Sequence, residues 1–150
     1  MLSSLGGFGL QASVWEDPAK RTTSSWQTKF EAPKSEYGPG HRGVDFTLET
    51  DSKISAPAAG VLYFKGLVVD REVVTIRTTD GYLASFEPAC TDLEVWDRVK
   101  LGQEIAWHCE PSASYGYHCD SCVHFSARSQ YGYISPDYLL GKLKPSVLEG

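Results

Sequence analysis

Three residues of this 150-residue chain carry side chains that could share one cation. His41 and Asp45 stand four apart in Gly38-Pro39-Gly40-His41-Arg42-Gly43-Val44-Asp45, and His124 stands in Cys122-Val123-His124-Phe125. Imidazole nitrogen and carboxylate oxygen are both zinc donors. Three such ligands with an open fourth position make a site that can acidify a water and polarise a carbonyl. The spacing imposes a condition on the backbone, because residues four apart in a straight strand are ~13 Å apart, whereas zinc bonds are only about 2.0 to 2.2 Å long. The chain must bend between His41 and Asp45, and Gly43 permits that. Strand alternation puts Cys122 and His124 on one face and Val123 and Phe125 on the other, so the apolar pair can fill a core while His124 faces a cleft. The competing readings are a surface loop that carries His41 and Asp45 incidentally and a half-buried strand histidine at 124.

A second metal reading overlaps the first. His118-Cys119-Asp120-Ser121-Cys122-Val123-His124 admits a Cys-x-x-Cys-x-His cluster holding a closed structural zinc, which would take His124 away from His41 and Asp45. The four cysteines, Cys90, Cys109, Cys119 and Cys122, admit two disulfides, a metal site or free thiols. Their even number favours disulfides in an exported protein, and spacing alone does not choose among the pairings. A redox role for Cys119-x-x-Cys122 lacks the βαβ context that motif needs.

The elements that would position these residues are short strands. Fourteen glycines, eight prolines and an aromatic content of 12%, set against one methionine, suit strands joined by tight turns better than long helices. Strand-like runs cover Val44 to Leu48, Lys53 to Ser55, Gly60 to Phe64, Val73 to Thr78, Tyr82 to Phe86, Glu104 to Trp107 and Cys122 to Ala127. Thr79-Asp80-Gly81 reads as a hairpin turn, with Gly81 free to take positive φ. Ser135-Pro136-Asp137 ahead of Tyr138-Leu139-Leu140 reads as an N-cap, a proline at N1 and an acidic first turn, hence one short C-terminal helix ended near Gly141. Residues 1–27 lack a sustained period and are expected to form an N-terminal arm, pinned by Trp15 and Trp26, on a single domain over 28–150. The fold class is mainly β, an antiparallel sandwich or barrel.

Charge excludes some partners. A net charge of −5 without a Lys/Arg run leaves no basic face for nucleic acid or an anionic membrane. No stretch reads as a transmembrane span. Leu2 to Trp15, broken by Gly6, Gly7 and Gly9, lacks the basic start and continuous apolar run of a signal peptide, so if the protein is exported its signal is expected to precede Met1.

Taken together, the motifs carry a family resemblance. Tyr37-Gly-Pro-Gly-His-Arg-Gly-Val-Asp45 resembles the H-x-x-x-D segment of the lysostaphin/LytM-type zinc metallopeptidases, and Ala56-Pro-Ala-Ala-Gly-Val-Leu-Tyr-Phe64 resembles the strand that follows it. Asp80-Gly81-Tyr82, Val99-Lys-Leu-Gly-Gln103, Val123-His124-Phe125 and Tyr133-Ile-Ser-Pro136 continue in the family's order, over roughly residues 30 to 141. The resemblance implies the lysostaphin-type (duplicated hybrid motif) fold. It makes His41, Asp45 and His124 zinc ligands, with Tyr37 and Arg42 beside them as substrate-binding residues. It implies a secreted or cell-envelope enzyme hydrolysing peptide bonds of bacterial peptidoglycan. It also implies a Cys119–Cys122 disulfide with Cys90–Cys109 as the second pair, and leaves His108, which matches no family position, as a structural residue.

The chain departs from the family pattern in two places. Active members carry a histidine two before the last ligand, where this chain has Cys122, and another after the hairpin, where it has Ser85-Phe86-Glu87-Pro88. It resembles an actinobacterial-looking branch in which the ligands persist and those histidines do not. Each missing proton carrier is worth on the order of 10² to 10⁴ in rate, and Glu87 and His118 are the candidates to replace them. Two functions follow: a zinc endopeptidase, or a catalytically degenerate relative that binds peptidoglycan or regulates another cell-wall hydrolase.

Overall fold

The computed structural model describes residues 14–20, 31, 42–110 and 121–141. Within them the strands are β1 (Val44–Thr47), β2 (Lys53–Ser55), β3 (Gly60–Val68), β4 (Arg71–Thr78), β5 (Leu83–Glu87), β6 (Ala89–Cys90), β7 (Arg98–Val99), β8 (Glu104–His108), β9 (Cys122–Ser129) and β10 (Gly132–Ile134), followed by helix α1 (Pro136–Leu139). A seven-stranded sheet runs β1-β9-β5-β4-β3-β7, with β10 also on β9, and a three-stranded sheet runs β2-β8-β6. All the pairings are antiparallel. The mainly β, antiparallel class expected from the sequence is the class observed.

Alternation explains the layering. Val44 and Phe46 of β1, Leu62 of β3, Val74 and Ile76 of β4, Ala84 and Phe86 of β5, and Val123, Phe125 and Ala127 of β9 are all buried at positions two apart, so one face of the large sheet is apolar. Ile54, Ala89, Ile105 and Ala106 of the small sheet belong to the same buried cluster, which makes the small sheet the lid of this core. Phe125 sits at its centre, stacked on Phe86 at 4.9 Å between ring centroids and meeting Phe46 edge-on at 6.4 Å.

The turns follow local chemistry. Gly81 takes φ 99° in the β4–β5 hairpin, closed by Thr78 N–H donating to the Tyr82 carbonyl at 2.8 Å. The β3–β4 hairpin instead places Val69 at φ 60°, and β3 carries a register shift between Leu62 and Phe64 that makes Tyr63 an extra residue. The Ser135 hydroxyl accepts from the Asp137 N–H at 3.2 Å and caps α1, with Pro136 in its first turn. Cys90 of β6 is disulfide-bonded to Cys109, just past β8, with 5.8 Å between their Cα atoms.

Part of the segment expected to be an arm belongs to the core. Trp15 is buried, its N–H donates to the Leu139 carbonyl at 2.8 Å, and its ring packs on Tyr82 and Phe125. The Glu16 N–H donates to Pro57 and the Pro18 carbonyl accepts from Ser55, which ties residues 14–20 to the start of the domain. Trp26 lies outside the described residues.

Candidate metal and peptide site

The polar face of the large sheet holds the site. Strands β1 and β9 pair with Asp45 opposite His124, so residues 79 apart in sequence share one row of one face. Their core-facing neighbours Val44, Phe46, Val123 and Phe125 are completely buried, which fixes the orientation of both polar side chains. Asp45 Oδ1 and His124 Nδ1 lie 2.8 Å apart, with the carboxylate fully buried and the imidazole about one-fifth exposed (20%). A carboxylate without solvent needs a compensating cation or donor, and the imidazole Nδ1 supplies it.

Gly43 is a requirement of this pair. A Cβ built there would lie 2.4 Å from the Phe125 carbonyl oxygen and 2.7 Å from His124 Nε2. The glycine read in the sequence as a bend also serves as the floor beneath the imidazole. Sequence spacing gives no sign of that role, because the contact is made across strands.

Zinc fits the donor set. Two ligands of one tetrahedral zinc are ~3.3 Å apart for bonds of about 2.0 to 2.1 Å. The Asp45 and His124 atoms would separate by roughly half an ångström to receive it, a small side-chain rotation. A buried carboxylate oxygen beside an imidazole nitrogen is a hard-to-borderline pair suited to that ion. The third ligand candidate, His41, lies outside the described residues, as do His118, Cys119 and Tyr37. Among the described residues no group of three His, Cys, Asp or Glu side chains is placed to hold a metal.

The remaining candidates are distributed around the pair. Glu87 of β5 pairs with His124 from the other side, which completes the row Asp45, His124, Glu87. Its carboxylate accepts a hydrogen bond from Arg71 Nη1 at 2.7 Å. Arg71 had no place in the sequence reading, since neither its spacing nor its neighbours point to Glu87. Arg42 lies with its guanidinium 5.7 Å above the Tyr133 ring. Cys122, two before His124 on the same face, is buried and disulfide-bonded, so it supplies no thiolate to a closed Cys-x-x-Cys-x-His cluster. The Nδ1–H of His108 donates to the Leu48 carbonyl, a bond that holds the β8 end to the segment after β1 and serves packing.

A concavity lined by Asp80, Tyr82, Ser129, Tyr131 and Tyr133 lies at the far end of β5 and β9 from Asp45 and His124. Burial first, then the negative charge of Asp80 and that which Tyr138 carries once ionised, raises the Tyr82 phenol above its ordinary value. The Trp15 indole and the Thr78 hydroxyl both donate to Asp80, so this end of the sheet reads as a structural junction.

The profile of Peptidase family M23 matches residues 39–136. An uncharacterized protein of Mycobacterium tuberculosis is 29% identical over 136 residues, covering 81% of this chain and 51% of its own length; the chain thus spans about half the length of the curated relatives it matches. In fold, the chain is similar to a zinc containing peptidase from Vibrio cholerae, with a TM-score of 0.66 and 15% identity over 82% of this chain and 39% of that one. It is also similar to the catalytic domain of the antimicrobial peptidase lysostaphin from Staphylococcus simulans, with a TM-score of 0.65 and 21% identity over 78% of this chain and 92% of that one.

Proposed function

We propose that this chain, which belongs to Peptidase family M23, is a zinc-dependent endopeptidase that hydrolyses peptide bonds of bacterial peptidoglycan outside the cytoplasm. The observation that carries the reading is the Asp45–His124 pair, a buried carboxylate set against a partly exposed imidazole on the polar face of the sheet. His41, Asp45 and His124 would hold the zinc, with one position left for water or substrate. A zinc so held lowers the pKa of a bound water and polarises the scissile carbonyl. The chain's own residues provide the rest. Gly43 and the β1–β9 register set the spacing of Asp45 and His124, and the fully buried Phe125 and Val123 keep His124 from rotating into the core. Arg42 and Tyr37 are proposed to bind the substrate chain, and Glu87 or His118 to carry the proton to the leaving amine.

A second reading has a specific observation in its favour. The Glu87 carboxylate is shared with Arg71, and the position two before His124 is a disulfide-bonded cysteine. Both limit proton transfer at the site. A catalytically degenerate member would keep zinc and fold and would bind peptidoglycan or regulate another cell-wall hydrolase.

Metal analysis and peptide release separate the two. One zinc per chain is expected in the wild type and none after His124→Ala; equal zinc in both would sink the site. Chelator-sensitive release of peptides from purified peptidoglycan supports the enzyme. Stoichiometric zinc without release establishes the second reading.

A further inference from the structure

The polar face of the large sheet also carries a row of arginines four residues along β9 from His124. Register pairs Tyr133 with Arg128, Arg128 with Leu83, Leu83 with Arg77, Arg77 with Val61, and Val61 with Arg98. Cross-strand partners share a face, so Arg128, Arg77 and Arg98 line up on β9, β4 and β7. All three are exposed, and the row contains no acidic residue. That is an uneven use of charge, since the whole chain has 14 basic against 19 acidic residues.

Aromatic rings back the row. The Arg77 guanidinium lies 5.7 Å from the Tyr63 ring centroid and 5.5 Å from that of Trp96, and Arg128 lies 5.8 Å from that of Tyr133. Trp96 is 59% exposed yet held in place, its N–H donating to the Leu62 carbonyl at 2.7 Å while Leu62 N–H donates to the Asp97 carbonyl at 2.8 Å. Tyr63 meets it edge-on at 6.0 Å. Rings in these positions fix the guanidinium planes and leave the N–H edges for a ligand. Among the described residues, no carboxylate lies within ion-pairing distance of Arg77, Arg98 or Arg128.

We infer that this row is a binding stripe for an extended acidic peptide whose carboxylates recur every third residue. Neighbouring arginines are two strands apart, ~9.6 Å at about 4.8 Å per strand. A polyproline II chain returns to the same face every three residues, after ~9.3 Å, so its carboxylates meet successive arginines. Bidentate Arg–carboxylate pairing supplies the specificity, and the Trp96 and Tyr63 rings take the apolar side chains between. A nucleic acid is the weaker candidate, because three arginines neutralise few phosphates of a polyphosphate chain. The stripe lies ~13 Å from His124 along β9, and its binding does not depend on zinc.

The full chain is titrated with acetyl-Glu-Pro-Pro-Glu-Pro-Pro-Glu-amide, with tryptophan fluorescence and calorimetry as readouts. Binding is expected to fall about tenfold, the loss of ~1.4 kcal/mol, in Arg77→Gln and in Arg128→Gln, and by more for the all-Gln peptide, which loses every such pair. Lys53→Gln, on the other sheet, and added chelator are expected to leave it unchanged. Thermal melting confirms that the variants fold. Equal affinity for the Glu and Gln peptides, unaltered binding by both arginine variants, loss of binding with chelator, or tighter binding of an oligothymidylate of similar length would each overturn the inference.

Discussion

Gly43 does not take positive φ, so its backbone angle does not demand a glycine. Space demands it: a Cβ would overlap both the Phe125 carbonyl and His124 Nε2. Gly43→Ala is expected to push β1 from β9, open the Asp45–His124 contact and cost about 1 to 3 kcal/mol. Zinc titration beside thermal melting would show metal affinity falling further than stability. Glu87 allows a second test at this scale. Because Arg71 already holds its carboxylate at 2.7 Å, Glu87→Gln is expected to lower peptide release less than about tenfold. His118→Ala is expected to lower it by roughly 10² to 10⁴ if that residue carries the proton. A larger loss in Glu87→Gln than in His118→Ala would move the proton-carrying role to Glu87.

At the scale of elements, the strands that carry an apolar pattern are legible in the sequence, and three of the shortest are not. β1, β5 and β9 fall where alternating apolar residues place them, because one buried face imposes a period of two, and β2, β4 and β8 fall on short apolar runs set between turn residues. β6 and β7, of two residues each, and β10, of three, are too short to show a period. The Asp45–His124 pairing is also hidden from spacing, because register between distant strands is set by the packing of Phe46 and Phe125; it came within reach only through the ordered family motifs. The β3–β4 turn had no signal for a related reason. Val69 at φ 60° is a β-branched residue where glycine is usual, and it is 89% exposed. Val69→Gly removes a left-handed strain of about 1 to 2 kcal/mol against a glycine entropy cost of roughly 0.5 to 1. Urea unfolding is expected to show it as stable as the wild type or more so; a clear loss of stability would mean that the valine makes a contact the strain argument omits.

For the whole molecule, the domain does not start where the regular strands do. Trp15 fills the core between Tyr82, Phe125 and Leu139. Trp15→Ala is expected to cost about 3 to 5 kcal/mol, and a chain shortened to 28–150 to lose at least as much. An unchanged melting temperature on removing residues 1–27 would contradict this. The expectation of an arm arose because residues 14–20 are irregular and form no element with a period. Their backbone bonds to Leu139, Pro57 and Ser55 span 124, 41 and 37 residues, beyond what any local pattern can encode.

Strand β9 changes neighbour along one edge: β1 pairs with Cys122–Phe125 and β10 with Ala127–Ser129, while β5 lines the other edge. Ser126 is the joint between two separately supported halves. β1 is four residues long and ends the sheet, so fraying of β1 would expose the His124 half to exchange with solvent while β10 still protects the Arg128 half. Hydrogen–deuterium exchange should therefore divide this one strand in two, with metal slowing exchange on the His124 side alone.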